Sequence, residues 1–306
     1  MTAKWWSCAL MNEHVAAGAA RLKSRLAQGD FFVAPGVQDM IAALIADRVG
    51  FDTIYGTGYW LTASAYGMPD AGLVSYTQMV DRMRTVTRTS KAALIADADT
   101  GFGGLLNVHH TVRGYEEAGV AAIQIEDQEF PKKCGHSPGK RIVPMADMVA
   151  KIKVAVDTRD EMLIIARTDA RQSEGMDGVM RRLDAYAAAG ADVLFPETLS
   201  GEAEMRQACE GFAQPVMVNM ANGGLSPMMP AKALEAIGFA FAIFPSLTSL
   251  AAAHAMETAL IRLRDEGDGA AADIPLFDFA TFGRLIGMEG VRGFEQKWAL
   301  EEGNDQ

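Results

Sequence analysis

The chain is 306 residues long, 49% hydrophobic and 22% charged, with a formal net charge of −11; these are the proportions of a globular protein with ample core. That charge excludes nucleic acid and membrane surfaces as partners, because both require a basic face, but leaves room for an anionic substrate wherever a cation and a few arginines reverse the local field. Three cysteines (Cys8, Cys134, Cys209), odd in number and far apart, make neither a disulfide framework nor a zinc signature and fit a reducing cytoplasm.

Residues 1–20 carry two tryptophans and a histidine around a short apolar stretch and do not read as a signal peptide. No apolar run reaches the roughly 18 residues of a membrane span. Residues 12–28 are predicted to form an amphipathic helix ended by Gly29. A unit then recurs: helix, glycine, short apolar strand, as in Gly50 before TIYG, Gly119 before VAAIQIE, Gly190 before ADVLFPE and Gly238 before FAFAIFP. Glycine serves there as the left-handed residue that ends a helix. With Phe31–Ala34, Ala92–Ala96, Met162–Ala166 and Pro215–Val218, the strands number eight, near residues 31, 53, 92, 121, 162, 192, 215 and 239. Their runs are continuously apolar, as in parallel strands covered on both faces.

Eight such units predict a (β/α)8 TIM-type barrel. A doubly wound sheet is the rival, but no Gly-x-Gly-x-x-Gly turn follows the first strand. The chain is read as a single domain, 1–306: an N-terminal helix, a barrel over about 30–265, and a helical tail over about 266–306. In the tail, an Ala-rich helix over Ser246–Arg264 and a polar break over Asp265–Asp273 precede an apolar-periodic helix through Leu300. That is more helix than a barrel needs, and it is expected to pack on a partner subunit.

In this architecture the chemistry belongs where strands end and βα loops begin. Polar residues stand at that level in turn: Tyr55-Gly-Thr57-Gly58-Tyr59, Asp97-Ala-Asp99, Glu126-Asp127, Arg167-Thr-Asp169, Glu197 and Asn219. Asp97, Asp99 and Glu126 form an all-oxygen acidic set suited to Mg²⁺, with Mn²⁺ as the alternative. One carboxylate alone would more often cap a helix or pair with Arg167. Thr57-Gly58-Tyr59 offers a hydroxyl and N–H groups in a glycine turn, a cradle for a carboxylate or phosphate. Arg167 suits bidentate binding of a carboxylate, and an internal salt bridge to Glu197 or Asp169 is compatible with that. His109 and His110 read as surface or capping residues, His14 and His254 lie on predicted helices with no partner signal, and Cys8 and Cys209 read as packing rather than reactive residues.

The most informative stretch is EDQEFPKKCGHSPGK, residues 126–140. It places Cys134 and His136 among lysines on a Gly/Pro-hinged loop, an arrangement suited to proton transfer or nucleophilic attack. A solvated basic loop with a chance cysteine is the plainer alternative.

Asp97–Gly104 together with Lys132–His136 resemble the isocitrate lyase/phosphoenolpyruvate mutase superfamily, small-lyase branch, over about residues 20–265. The resemblance implies a Mg²⁺-dependent (β/α)8 barrel, a homotetramer built as a dimer of dimers with swapped C-terminal helices. It implies cleavage of a carbon–carbon bond in a 2-hydroxy dicarboxylate or tricarboxylate. Carried over by motif, Asp97 would bind the metal directly, with Asp99 and Glu126 holding its waters. Thr57, Gly58 and Tyr59 would bind the 2-oxo acid carboxylate, and Arg167 and Asn219 would grip carboxylates, with Glu197 orienting them. Tyr55 and Asp70 fall at active-site positions. Lys132, Lys133, Cys134, Gly135 and His136 would form the gating loop, with Cys134 as acid/base and Lys132, Lys133 and His136 bringing its pKa near the working range.

Three departures narrow the substrate. Tyr59 is a bulky ring where the family carries a small residue, and Asn222 stands where it usually carries Glu. The segment FPSLTSLAAAHAM after strand eight lacks an arginine for a third carboxylate. A substituted malate therefore fits better than a tricarboxylate. The alternatives are phosphonopyruvate-type phosphorus–carbon chemistry and oxaloacetate hydrolysis or decarboxylation on the same site. A Schiff-base aldolase would need a lysine at a strand end, and none is there.

Overall fold

Along the strands, alternate side chains face opposite sides of the sheet, and that alternation shapes this protein. The computed structural model describes residues 8–267, 269 and 274–299, with side chains from Gly18 onward. Helix α1 (Cys8–Gln28) leads into β1 (Phe32–Val37), α2 (Met40–Val49), β2 (Thr53–Gly56), α3 (Gly58–Tyr66) and α4 (Tyr76–Thr89). Then come β3 (Ala93–Asp97), α5 (Leu105–Glu117), β4 (Ala122–Glu126), α6 (Met145–Thr158), β5 (Leu163–Thr168) and α7 (Arg171–Ala188). β6 (Val193–Pro196), α8 (Glu202–Glu210), β7 (Met217–Asn219), α9 (Ala231–Ile237) and β8 (Phe241–Phe244) complete the eight units. The helices α10 (Leu247–Glu266), α11 (Phe279–Leu285) and α12 (Met288–Trp298) follow.

All strand pairs are parallel, in the order β6-β5-β4-β3-β2-β1-β8-β7. A single parallel bridge, Leu194 to Val216, brings β6 against β7, so the eight strands make a nearly closed (β/α)8 barrel. The glycines expected to end helices do so in left-handed backbone: Gly50 at φ 100, Gly119 at 92, Gly190 at 100 and Gly238 at 113.

Two hydrophobic clusters follow from the alternation. Phe32, Tyr55, Ile95, Leu163, Ile165, Phe195, Met217, Phe241 and Ile243 fill one together with Ala19 and Leu22 of α1. The other joins the opposite strand faces, such as Ile54, Leu94, Ile123, Ile164 and Leu194, to the surrounding helices. The first is the barrel's interior, and its rows end in polar residues of the same parity: Asp97 after Ile95, Glu126 after Gln124, Arg167 after Ile165, Glu197 after Phe195, Asn219 after Met217. Period two therefore points all five inward at the carboxyl end of the barrel.

The chain divides into two compact units, Ala9–Ala251 and a second made of Met1–Cys8 with Ala252–Gln306. Three details differ from the sequence reading. Residues 58–66 form the additional helix α3, β7 is only three residues long, and the tail after the polar break is two helices separated at Gly287 (φ 89) rather than one. Leu300 lies outside the described residues. Among those described, no helix is long and apolar enough to cross a membrane.

Candidate active site

A cavity of about 230 Å³ opens at the carboxyl end of the strands. Tyr55, Thr57, Tyr59, Asp70, Asp97, Lys132, Cys134, Gly135, His136, Arg167, Glu197 and Asn219 line it, and all twelve belong to the set expected from the sequence. Four of that set do not line it: Gly58, Asp99, Glu126 and Lys133. Its wall also holds Trp60, Phe195, Ile243, Pro245 and Ser246, which the sequence reading did not single out as site residues.

The floor is an ion-pair network. Register sets Glu126 directly opposite Arg167 on the neighbouring strand. The Arg167 guanidinium lies 3.1 Å from Glu126 and 3.6 Å from Glu197, while its fork donates to Asp169 at 2.9 and 3.1 Å. Burial opposes its charge, but Asp169, Glu126 and Glu197 outweigh that and hold its pKa far up. Burial also works against the Asp169 carboxylate, and Arg167 with Lys140 overcomes it, bringing its pKa down to about 2. Both internal partners weighed for Arg167 are thus present, and its remaining face looks into the cavity.

The expected glycine turn at Thr57-Gly58-Tyr59 is instead the start of α3, with Thr57 as N-cap. Unpaired N–H groups of a helix's first turn face outward and favour negative charge. Asp97 sits against this end: a Cβ built on Gly58 would lie 2.6 Å from Asp97 Oδ2. Tyr55 donates to Gln124 Oε1 at 2.7 Å, and burial, then Asp97, raises its pKa well above the usual phenol value, so it keeps its proton.

The three acids expected to hold a metal do not close on one point. Lys132, only 3% exposed, sets its ammonium 2.5 Å from Asp70 and 2.8 Å from Asp99, and Glu126 turns to Gln128 (3.0 Å) and Arg167. Among the described residues, no three His, Cys, Asp or Glu side chains form a cation-binding group. Buried Asp99 Oδ1 and Glu126 Oε2 accept no well-aligned hydrogen bond, and protein cations already stand against both, Lys132 at 2.8 Å and Arg167 at 3.1 Å. Burial raises both acids' pKa values, that of Asp99 to about 6. Asp99 also holds a left-handed backbone, φ 47, uncommon for a residue other than glycine and frequent at functional sites. The donor set is all oxygen, which fits a hard divalent cation that keeps most of its waters, and such a cation would share Asp99 and Glu126 with Lys132 and Arg167.

The roof is the loop between β4 and α6. Its arms pair through Gln128 and Ile142, and its tip carries Cys134, Gly135 and His136 over the network. Gly135 is required there, since a Cβ would run into Arg167 Nη2 and Glu197. His136 Nδ1 accepts from the Leu225 N–H at 3.1 Å, which places the ring proton of the neutral imidazole on Nε2, on the side of Glu197. The expected effect of Lys132, Lys133 and His136 on the thiol is corrected. Lys132 is spent on Asp70 and Asp99, and Lys133 bonds the Gly139 carbonyl. Burial pushes the Cys134 pKa up, with the His136 backbone N–H, not its ring, working against it. The thiol is therefore held protonated.

Comparison with known proteins agrees with this geometry. The family profile described as Phosphoenolpyruvate phosphomutase matches residues 22–264. The chain is 42% identical to the 2,3-dimethylmalate lyase of Eubacterium barkeri over 92% of its own length and 98% of that protein's. It is 41% identical to the 2-methylisocitrate lyase of Bacillus subtilis, covering 81% and 82%. Among solved structures, oxaloacetate acetylhydrolase in complex with the inhibitor 3,3-difluorooxalacetate superposes with a TM-score of 0.87 at 33% identity, covering 92% and 97%.

Proposed function

This chain belongs to the phosphoenolpyruvate phosphomutase family, and on that premise we propose that it is a Mg²⁺-dependent carbon–carbon lyase. Its substrate would be a 2-hydroxy dicarboxylate of the substituted-malate type, cleaved by retro-aldol chemistry to a 2-oxo acid and a carboxylic acid. The observation that carries this reading is a protonated Cys134 held by a lid above Arg167, in one small cavity with Asp97. In the cleavage the C2–C3 bond breaks, the 2-hydroxyl passes its proton to solvent water and becomes the carbonyl, and the departing carbon keeps the electron pair beside a carboxylate. That carbon then needs a proton, and a neutral thiol can give it. Arg167, the Asn219 amide and the His136 Nε2–H would hold the carboxylate into which the charge spreads. The first turn of α3 would hold the 2-oxo acid carboxylate. Asp97, Asp99 and Glu126 would hold Mg²⁺ or Mn²⁺, which when bound supplies Lewis acidity toward the substrate oxygens.

The cavity's cations, Lys132 and Arg167, already face acids, and part of its remaining wall is apolar, with Trp60, Phe195, Ile243 and Pro245 beside Asn222 and Ser246. An alkyl substituent suits that wall better than a third carboxylate. A second reading, hydrolysis of oxaloacetate, draws support from the structural likeness to oxaloacetate acetylhydrolase. The reading includes a cytoplasmic homotetramer associating through the tail, supported by Phe279, 90% exposed on α11, and exposed Phe294 on α12. The deciding experiment assays purified protein with 2,3-dimethylmalate, 2-methylisocitrate and oxaloacetate, with and without EDTA. Metal-dependent cleavage of the first is expected. Turnover confined to oxaloacetate would favour the second reading, and no turnover would defeat both.

A further inference from the structure

We infer that Lys140 is a positioning residue that latches the thiol-bearing lid shut over Arg167. Loop pairing alone does not do this. The bridge between Gln128 and Ile142 and the bond from Glu129 N–H to Arg141 O (2.9 Å) fix the base of the two arms, and at the tip the His136 ring adds one neutral bond, from the Leu225 N–H. Lys132, before the tip, reaches Asp70 and Asp99, while Lys133, also before it, and Arg141, after it, bond within the loop, to the Gly139 carbonyl and to Glu129. Lys140 differs from all three. Its side chain is 1% exposed, and its ammonium donates to the Gly135 carbonyl at the lid tip and to Asp169 Oδ1, 2.7 Å away beside the end of β5.

A lysine gives up hydration this completely only where fixed acceptors replace water. Asp169 is such a fixed point, because its own N–H donates to buried Asp127 at 2.9 Å. The same Asp169 Oδ1 accepts from Arg167 Nη2 at 3.1 Å. One carboxylate oxygen thus joins the lid to the guanidinium beneath it. When the tip lifts, Lys140 must leave Gly135 or Asp169, and the support of the Arg167 fork changes with it. The latch therefore couples the approach of Cys134, next in the chain to Gly135, to the aim of Arg167.

The latch rests on the proposed lyase only for its kinetic readout. The full chain is treated with iodoacetamide and alkylation followed peptide by peptide, without substrate. In Lys140→Met, Cys134 is expected to react about 10-fold faster than in wild type, since an open lid exposes and re-solvates the thiol. Cys209 on α8 serves as internal reference and holds its rate. Lys140→Arg should return Cys134 to within about 3-fold of wild type, and Arg141→Met, which removes only an exposed pair, should change it less than about 2-fold. In turnover, kcat is expected to fall more than KM rises. An unchanged Cys134 rate in folded Lys140→Met, or an equal rise in Arg141→Met, overturns the latch. If Lys140→Met does not fold, Lys140→Gln is read in its place, and failure of both to fold would make Lys140 a fold determinant, which also overturns it. A wild type inactive on every acid would instead sink the lyase reading and leave the alkylation result standing.

Discussion

Gly58→Ala separates the geometry of the acid site from the stability of the fold. The Cβ it introduces would lie 2.6 Å from Asp97 Oδ2 and 3.0 Å from its Cγ. To regain an ordinary contact of about 3.4 Å the carboxylate must retreat by about 0.8 Å. It has little freedom to do so, because Oδ1 already accepts the Asp99 N–H at 3.0 Å and the whole group is buried. A displacement approaching 1 Å at a reacting centre costs roughly 10²-fold in rate. The backbone effect has the opposite sign: Gly58 is the first residue of α3, and alanine there favours helix by up to about 1 kcal/mol. The expected variant thus loses about 10²-fold in kcat/KM while its Tm stays within a few degrees of wild type, and its apparent Mg²⁺ requirement rises. Turnover against a metal titration, beside a thermal melt of the metal-free protein, reads both effects. Full activity at the wild-type metal requirement would refute the placement of Asp97 against the start of α3 as functional.

Cys134→Ser should lower turnover by about 10³-fold, the scale of a lost general acid, with Mg²⁺ affinity by calorimetry unchanged; near-normal activity would remove the thiol from the chemistry. Arg167→Lys replaces a fork that donates to Asp169 by a point charge, and should cost about 10²-fold in kcat/KM without the loss of folding expected of Arg167→Met. Asp169 tests the electrostatics by pH. Its folded pKa of about 2 lies below the usual 3.8, so its stabilising effect is present above pH 4 and is lost as pH falls toward 2. Linkage makes this about 2 kcal/mol, to order of magnitude, so Asp169→Asn should lower Tm at pH 7 and flatten its decline below pH 4; parallel curves for the two proteins would refute this. Replacing Phe279 and Phe294 together by Glu is expected to reduce the mass seen by light scattering below that of the wild-type assembly, with an unchanged mass excluding these faces from it.

The barrel was legible because its signals are local. A glycine that ends a helix in left-handed backbone, followed at once by an apolar run, is a chemical event of a few residues, and Gly50, Gly119, Gly190 and Gly238 each produced it. The inward row of site residues was legible for a related reason. Strand period two carries Asp97, Glu126, Arg167, Glu197 and Asn219 to one side of the sheet whatever the rest of the chain does. Where the structure departs from the sequence reading, no such period applies. Nothing in Thr57-Gly58-Tyr59 distinguishes a glycine turn from the start of a helix, since N–H groups and a capping hydroxyl suit both. Trp60 and Phe195 gave no site signal, because apolar residues lining a cavity have the composition of apolar residues filling one.

Charge pairing within the loop was the least legible feature, and the reason bears on how the site works. In sequence, Lys132, Lys133 and Lys140 are equivalent cations near a cysteine, and the expected result is a thiol made acidic. Folding sorts them by reach: Lys132 to Asp70 and Asp99, Lys140 to Asp169, Lys133 to the loop's own backbone. Two of the three positive charges are thus neutralised by acids on the barrel, and burial governs the thiol instead, raising its pKa. On the proposed latch, Lys132 and Lys140 would hold the lid down rather than acidify the cysteine, and the closed lid would keep the thiol protonated. In the proposed reaction, proton donation and water exclusion would then be one event, because a closing lid that dries the cavity would also leave a neutral S–H facing it.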